Sequence, residues 1–248
     1  MGTIISFSNY KGGVAKTTTT ASVGSILSSM GKKVLVVDVD AQANLTASLY
    51  KEEVDVSVFH AMNGDAELPI INISENLDLV PASLQLAMAD ITFASAMCRE
   101  RLLANLIEPI KNEYDYILID CPPSLGLLTL NAFTLSDEII APLTAEVLPV
   151  KGLKMILDFI DKVKKHLNPT LHFAGILITK WENTTMSKKM ESELRSIPSI
   201  FTFDTKIRKN VSVAEAPLEA KDIVNYAPKS HGAQDYKAFT KELLCLLE

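Results

Sequence analysis

The sequence has little cysteine. Its three, Cys98, Cys121 and Cys245, are far apart, odd in number and form no CxxC pair, which removes the spacing for a metal knuckle or redox disulfide and fits a reducing, cytosolic compartment. No apolar run approaches the roughly 18 residues of a membrane span. The opening MGTIISFSNYKGG lacks the charged n-region and cleavage site of a leader. It does place Gly2 and Ser6 in the myristoylation pattern, but Ile4, Ile5 and Phe7 read as a strand entering the core, which argues against lipidation. Internal repeats, low-complexity tracts and long linkers are also missing. So is an excess of positive charge: 24 Lys and Arg against 30 Asp and Glu give −6, which argues against a uniformly basic nucleic-acid coat protein. With 48% hydrophobic and 22% charged residues over 248 positions, disorder, collagen and coiled coil are excluded and a single globular domain over residues 1–248 is the economical reading.

Short apolar runs alternate with longer helical patterns, the signature of βαβ units. Strands are predicted at Thr3 to Ser8, Lys33 to Asp38, Leu77 to Pro81, Tyr116 to Asp120, Glu138 to Ala141 and Phe173 to Thr179, with a seventh at Ile200 to Phe203. Helices are predicted at Lys16 to Met30, Ser83 to Phe93, Arg99 to Glu113, Leu125 to Leu135, Lys151 to His166, Met186 to Ser196 and Gly232 to Leu247. Gly31 supplies a helix stop. The loosest stretch, Lys51 to Asn76, reads as a lid or an excursion over the sheet. The expected fold is α/β: a doubly wound, mostly parallel sheet with helices on both faces.

Directly after the first strand comes Asn9-Tyr10-Lys11-Gly12-Gly13-Val14-Ala15-Lys16-Thr17-Thr18, running into a helix. A strand, a glycine turn and a helix N-terminus aim backbone N–H groups and the positive helix end at one small volume, which suits a polyphosphate. Lys16 is placed for the β- and γ-phosphates and the Thr17 hydroxyl for direct Mg²⁺ ligation. A strict Walker A fails, because Tyr10 and Ala15 stand where glycine is usual. If Ala15 adopts a positive φ, alanine there costs on the order of 1 kcal/mol.

Acids at strand ends come next, since ligands of doubly wound sheets sit beyond those ends. Val34-Leu35-Val36-Val37-Asp38-Val39-Asp40 and Tyr116-Ile117-Leu118-Ile119-Asp120-Cys121-Pro122-Pro123 both qualify. The apolar run before Asp120 marks a buried strand, where an unpaired carboxylate is costly and Mg²⁺, reached through a coordinated water, supplies the partner. Asp38 taken alone also reads as a helix cap or a solvated strand end. Cys121 reads as a small apolar filler.

Lys11-Gly12-Gly13 followed by Lys16-Thr17-Thr18 resembles the deviant Walker A box of the ParA/MinD/Soj family of P-loop NTPases, and most closely its ParA/Soj branch. Later segments also resemble successive family segments: Val80-Pro81-Ala82-Ser83, Pro142-Leu143-Thr144-Ala145-Glu146 with Gly152-Leu153, Asn210 to Pro217, and Pro228 to Tyr236. The resemblance covers nearly the whole chain. It implies a slow Mg²⁺-dependent ATPase with ATP held by Lys11, Gly12, Gly13, Val14, Ala15, Lys16, Thr17 and Thr18. It further implies that Lys11 reaches across a nucleotide-sandwiched homodimer, with Gly12 leaving room for the second copy. Asp40 then orients the attacking water, and Asp38 with Asp120 organises the metal through water. Thr184, where many members have arginine, and Arg208-Lys209, in place of a proline-arginine pair, are departures on the adenine side.

No helix-turn-helix module precedes the first strand, so operator binding is not expected. ParA/Soj proteins coat DNA nonspecifically as ATP dimers, whereas MinD proteins use a basic amphipathic C-terminal helix on membranes. Here that helix carries only Lys237 and Lys241 and closes on Glu248, so stable membrane association is not expected. Charge divides unevenly. Residues 1–149 hold 8 basic and 18 acidic residues, net −10, while residues 150–248 hold 16 and 12, net +4. Lys206, Arg208, Lys209, Lys229 and Lys237 are candidate DNA contacts, of the salt-dependent, sequence-tolerant kind. The expected partners are a second copy, nonspecific DNA and a ParB-like stimulating protein, on the nucleoid within the cytoplasm. The rivals are a MinD-like membrane oscillator, a reductase or cluster carrier on the same fold, and a catalytically silent scaffold.

Overall fold

Along β2 (Val34–Asp38) side chains alternate between two cores: Val34 and Val36 enter one, Leu35 and Val37 the other, and all four are fully buried. A strand with both faces buried belongs inside a parallel sheet covered on both sides. The computed structural model describes residues 2–145 and 150–247 and shows that sheet. Its other strands are β1 (Thr3–Phe7), β3 (Ile71–Ser74), β4 (Leu77–Val80), β5 (Tyr116–Asp120), β6 (Glu138–Thr144), β7 (His172–Trp181) and β8 (Thr202–Arg208). The order is β3-β4-β2-β5-β1-β6-β7-β8, and β3 alone runs against its neighbour.

The helices are α1 (Lys16–Ser29), α2 (Asn44–Leu49), α3 (Val58–Asn63), α4 (Ala89–Thr92), α5 (Leu102–Ile107), α6 (Leu127–Leu135), α7 (Val150–His166), α8 (Thr185–Arg195), α9 (Val211–Glu215), α10 (Ile223–Tyr226) and α11 (His231–Leu247). One core joins α3 to α7 with Ile4, Leu35, Ile117 and Ile139, and the other joins α1 and α11 with Ile5, Phe7, Val36 and Leu118. A third, smaller cluster packs Leu153 of α7 and Met190 and Leu194 of α8 against β7.

The helix α1 carries the phosphate loop and is rich in hydroxyls, which compete with helical structure. It tolerates them because Thr19, Thr20 and Ser22 each donate to the carbonyl four residues back, so the hydroxyls are satisfied inside the sandwich. Gly24 lets it lie close to the sheet: a Cβ there would stand 2.8 Å from Val36 Cγ1. At the helix end Gly31, at φ 80, donates to the Ser28 carbonyl.

Several expectations are corrected. The stretch from Lys51 to Asn76 is no plain excursion: it contains α3 and the edge strand β3, paired in a hairpin with β4. The helices expected over Ser83 to Phe93 and Arg99 to Glu113 are broken, each mixing short α turns with 3₁₀ turns at Leu84–Met88, Arg99–Arg101 and Glu108–Glu113. The last strand begins at Thr202, two residues later than expected, and runs on to Arg208. Gly2 is buried against backbone carbonyls of Lys111 and Tyr114, as a residue entering the core should be. Glu146 and Glu248, both used in the sequence reading, lie outside the described residues.

Candidate nucleotide site

The strands β1, β2 and β5 run parallel and end together, so the loops after Phe7, Asp38 and Asp120 leave the sheet at one end. Phe7 and Asp38 both pair in register with Asp120. Neighbouring strands lie about 4.8 Å apart, so the two aspartates 82 positions apart in sequence are side by side. The strand order reverses around β1, which is flanked by β5 and β6, and this places the crevice of a doubly wound sheet over the loop that follows β1.

That loop is held from several sides. Asn9, buried, accepts the Lys11 N–H through Oδ1 at 3.0 Å and donates from Nδ2 to the Pro142 carbonyl at 2.6 Å. Thr179 on β7 donates from its hydroxyl to the Val14 carbonyl at 3.0 Å. Gly13 sits at φ 73 and Ala15 at φ 68, so the loop enters α1 through two left-handed residues. The condition set for Ala15 is met, and the alanine carries strain on the order of 1 kcal/mol. Lys16 is buried and its Nζ donates to the Lys11 carbonyl at 3.4 Å. Burial lowers the Lys16 pKa, and the charges of Asp120, Cys121 and Asp40 oppose that shift. By contrast, Tyr10 and Lys11 are exposed.

Beneath the loop lie the acids. Asp120 is fully buried; its Oδ2 accepts the Thr17 hydroxyl at 2.6 Å, while its Oδ1 has no hydrogen-bond partner among the described residues. Burial and then the Asp38 charge push its pKa well up, against the Thr17 bond and the Lys16 charge. Asp38, also fully buried, is pushed to about 6 by burial. Its Oδ2 accepts both the N–H and the hydroxyl of Thr46, each at 2.8 Å, and its Oδ1 accepts the Asp40 N–H at 3.1 Å. Asp38 therefore braces the turn into α2. Asp40, half-buried, accepts the Gln42 N–H at 3.0 Å.

A buried carboxylate oxygen with no donor, a hydroxyl bonded to the same carboxylate and an ammonium at one loop form a hard, oxygen-rich set that fits Mg²⁺ with a polyphosphate. Thr17, Asp120 and Asp38 are brought together as the sequence suggests. Asn9, Thr46 and Thr179 were missed. Only Asn9 had a local signal, since asparagine commonly bonds the backbone N–H two residues on.

The candidate DNA contacts are spread out and partly engaged within the chain. Lys206 bonds Glu191 at 2.9 Å and lies over the Trp181 ring at 4.5 Å. Arg208 makes a forked pair with Asp235 of α11, its shortest contact 2.6 Å, and Lys209 lies 3.4 Å from Glu182. Lys229 and Lys237 are exposed and have no ion pair among the described residues. The apolar face of α11, with Tyr236, Phe239 and Leu243, is buried in the core against α1 and β8. No helix of the described residues is long and apolar enough to cross a membrane. Cys121 is buried, its thiol pushed up to about 12 by burial, while Cys98 and Cys245 are exposed.

A glycine-turned loop over the end of β1, a buried lysine at a helix start and carboxylates at neighbouring strand ends define a P-loop nucleoside triphosphatase on a doubly wound sheet. A family model described as an AAA domain matches residues 2–173. The chain is 41% identical to the sporulation initiation inhibitor protein Soj of Bacillus subtilis, covering 98% of each, and 36% identical to the chromosome partitioning protein ParA of Myxococcus xanthus, covering 98% of this chain and 88% of that one. Among solved structures, one described as cobyrinic acid a,c-diamide synthase from Mycobacterium smegmatis, with a bound ATP analogue and magnesium, matches at TM-score 0.89 and 33% identity, covering 98% of this chain and 94% of that one. The chain belongs to the ParA/Soj family of chromosome-partitioning ATPases.

Proposed function

We propose that the chain is a Mg²⁺-dependent ATPase that pairs face to face with a second copy when ATP is bound, holds DNA without sequence preference in that state, and hydrolyses slowly until a ParB-like protein stimulates it. It would act in the cytoplasm, on the nucleoid, in partition of DNA or positioning of another cargo. The observation that carries the reading is the buried Oδ1 of Asp120, unpartnered among the described residues and beside the Thr17 hydroxyl and Lys16. An uncompensated carboxylate at the floor of a phosphate loop is costly, and a divalent cation removes that cost.

When bound, the cation neutralises charge on the β- and γ-phosphate oxygens. Lys16 would exchange the Lys11 carbonyl for those phosphates, and Thr17 would offer its oxygen to the metal. Asp120 and Asp38 would hold water around the metal, and Asp40 would align the attacking water. Positioning and charge neutralisation suffice for phosphoryl transfer, so a weak base serves. Two details support pairing. Lys11 is exposed and makes no ion pair among the described residues. Gly12 lacks a positive φ, and a Cβ there would meet nothing nearer than Pro123 Cβ at 4.0 Å, so nothing among the described residues demands glycine. A close approach from outside would. For DNA, the exposed Lys229 and Lys237 are the first candidates, with Lys206, Arg208 and Lys209 contributing where they leave their carboxylates.

The test is phosphate release with Mg²⁺ or EDTA, run beside retention on nonspecific DNA and on liposomes with ATP or ADP. Asp40→Ala should keep ATP-dependent pairing and abolish turnover; Lys16→Ala should lose nucleotide. Normal hydrolysis by Asp40→Ala removes the water-orienting role. Equal DNA retention with ADP and ATP removes the coupling, and ATP-dependent retention on liposomes favours a MinD-like protein.

A further inference from the structure

We infer that Asn9 is the positioning residue that aims Lys11 out of its own subunit toward the phosphates of a second copy; the inference rests on the reading of Lys11 as acting across the pair. The chain turns sharply between a buried side chain and two exposed ones: Asn9 is 5% exposed, Tyr10 49%, and Lys11 is also exposed. Asn9 enforces the turn with both ends of its amide. Its Oδ1 accepts the Lys11 N–H at 3.0 Å, and its Nδ2 donates to the Pro142 carbonyl on β6 at 2.6 Å. The first bond sets the direction of the Lys11 peptide, and the second ties that turn to a rigid strand.

The Lys11 peptide is held a second time, at its carbonyl, by Lys16 Nζ at 3.4 Å. That hold is long and belongs to a group that the phosphates recruit. Once Lys16 turns to the nucleotide, the Asn9 bond is the remaining side-chain tether on Lys11 among the described residues. A loosened Lys11 can fold back over its own loop, where it adds charge to a site already served by Lys16 and contributes nothing to the partner.

The two bonds are separable by substitution. Asn9→Ala removes both, whereas Asn9→Ser keeps a hydroxyl acceptor for the Lys11 N–H and is too short to reach the Pro142 carbonyl. The experiment measures three quantities on the full chain: affinity for Mg²⁺-ATP, ATP-dependent self-association by sedimentation, and phosphate release, with Lys11→Ala and Lys16→Ala as references. Asn9→Ala should bind Mg²⁺-ATP within about threefold of the parent, because Lys16, Thr17 and Asp120 are untouched, yet associate about tenfold more weakly and lose turnover in proportion. Asn9→Ser should fall between the two in association. Its intermediate value keeps the inference testable if Asn9→Ala unfolds, which circular dichroism would reveal. Loss of nucleotide binding by Asn9→Ala to the level of Lys16→Ala, with the fold intact, would overturn the inference in favour of general loop support. If Lys11→Ala loses association while folded Asn9 variants keep it, the inference fails and the reading of Lys11 stands. If Lys11→Ala itself associates and turns over normally, the reading fails first.

Discussion

Replacing Thr46 with valine isolates the brace beneath the metal side of the site. Valine keeps the shape and removes a hydroxyl that donates to Asp38 Oδ2 at 2.8 Å and accepts the Ala82 N–H at 2.9 Å. Two losses follow. A hydrogen bond to an ionised carboxylate contributes about 1.5–3 kcal/mol, falling to about 1 kcal/mol when the carboxyl is protonated. The buried Ala82 N–H, left unpaired, costs about 1–3 kcal/mol at any pH. Because burial holds Asp38 at about 6, the carboxyl is mostly neutral at mildly acidic pH and mostly ionised above neutrality. Thr46→Val should therefore lose about 4 kcal/mol near pH 7.5 and about 3 kcal/mol near pH 5. Urea unfolding of the nucleotide-free chain in EDTA, repeated across that range, measures both limits. A loss under about 1 kcal/mol at both ends, or one that shrinks as pH rises, would refute the assignment of Thr46 as donor to an ionised Asp38.

The parent chain should show its own pH dependence. Asp38, raised from 3.8 to about 6 by folding, contributes about 3 kcal/mol of stability that is full below the lower value and lost as pH rises through the higher one, and Asp120, also pushed up, adds a loss of the same sign. Unfolding in EDTA between those limits checks this, and Mg²⁺-ATP should stabilise more at the upper limit than at the lower. Arg208→Ala should cost about 2 kcal/mol, because Asp235 is largely buried and loses its forked partner, whereas Lys229→Glu and Lys237→Glu should leave thermal stability unchanged and weaken DNA retention. A stable Arg208→Ala chain would show that the fork is not structural. Ala15→Gly should relieve the strain at φ 68 and raise stability by up to about 1 kcal/mol, part of it offset by the freer unfolded chain; calorimetry showing a loss would place the strain elsewhere.

What was legible in the sequence is what local spacing controls. The run ending at Asp120 announces a buried strand because every residue from Ile117 to Ile119 is apolar, and the structure buries all three. The loop from Asn9 to Thr18 is contiguous, so its chemistry lies in one window. What was not legible depends on partners far along the chain. Thr46 matters because α2 returns it to Asp38 and to Ala82, and Thr179 matters because β7 lies two strands from β1, with Val14 above it. Neither threonine differs locally from its neighbours. The edge strand β3 escaped notice because a four-residue strand with only Ile71 and Ile73 facing inward has too short a period to separate from loop. Charge counting found basic residues in the C-terminal part, but composition does not show which of them already face Glu191, Asp235 or Glu182.

The charge pattern of the site bears on why pairing would depend on ATP. Asp38 and Asp120 lie side by side in the sheet, with Asp40 just beyond, and the charges of Asp120 and Asp40 act on the buried Lys16 ammonium. Burial pushes both carboxyls upward, and a neighbouring carboxylate adds to the shift, Asp38 for Asp120 and Asp40 for Asp38. A nucleotide would add more negative charge, and a triphosphate more than a diphosphate. A cation at Thr17 and Asp120 would answer part of that charge, and a lysine from outside the subunit would answer the rest. On this balance Lys11 of a second copy would be drawn in strongly only when the γ-phosphate is present, and hydrolysis would release it. Lys11→Arg, which keeps the charge but not the compact ammonium, should retain more ATP-dependent association than Lys11→Ala while losing turnover. Sedimentation and phosphate release on the same samples decide it, and equal association by the two variants would show that charge balance does not drive pairing.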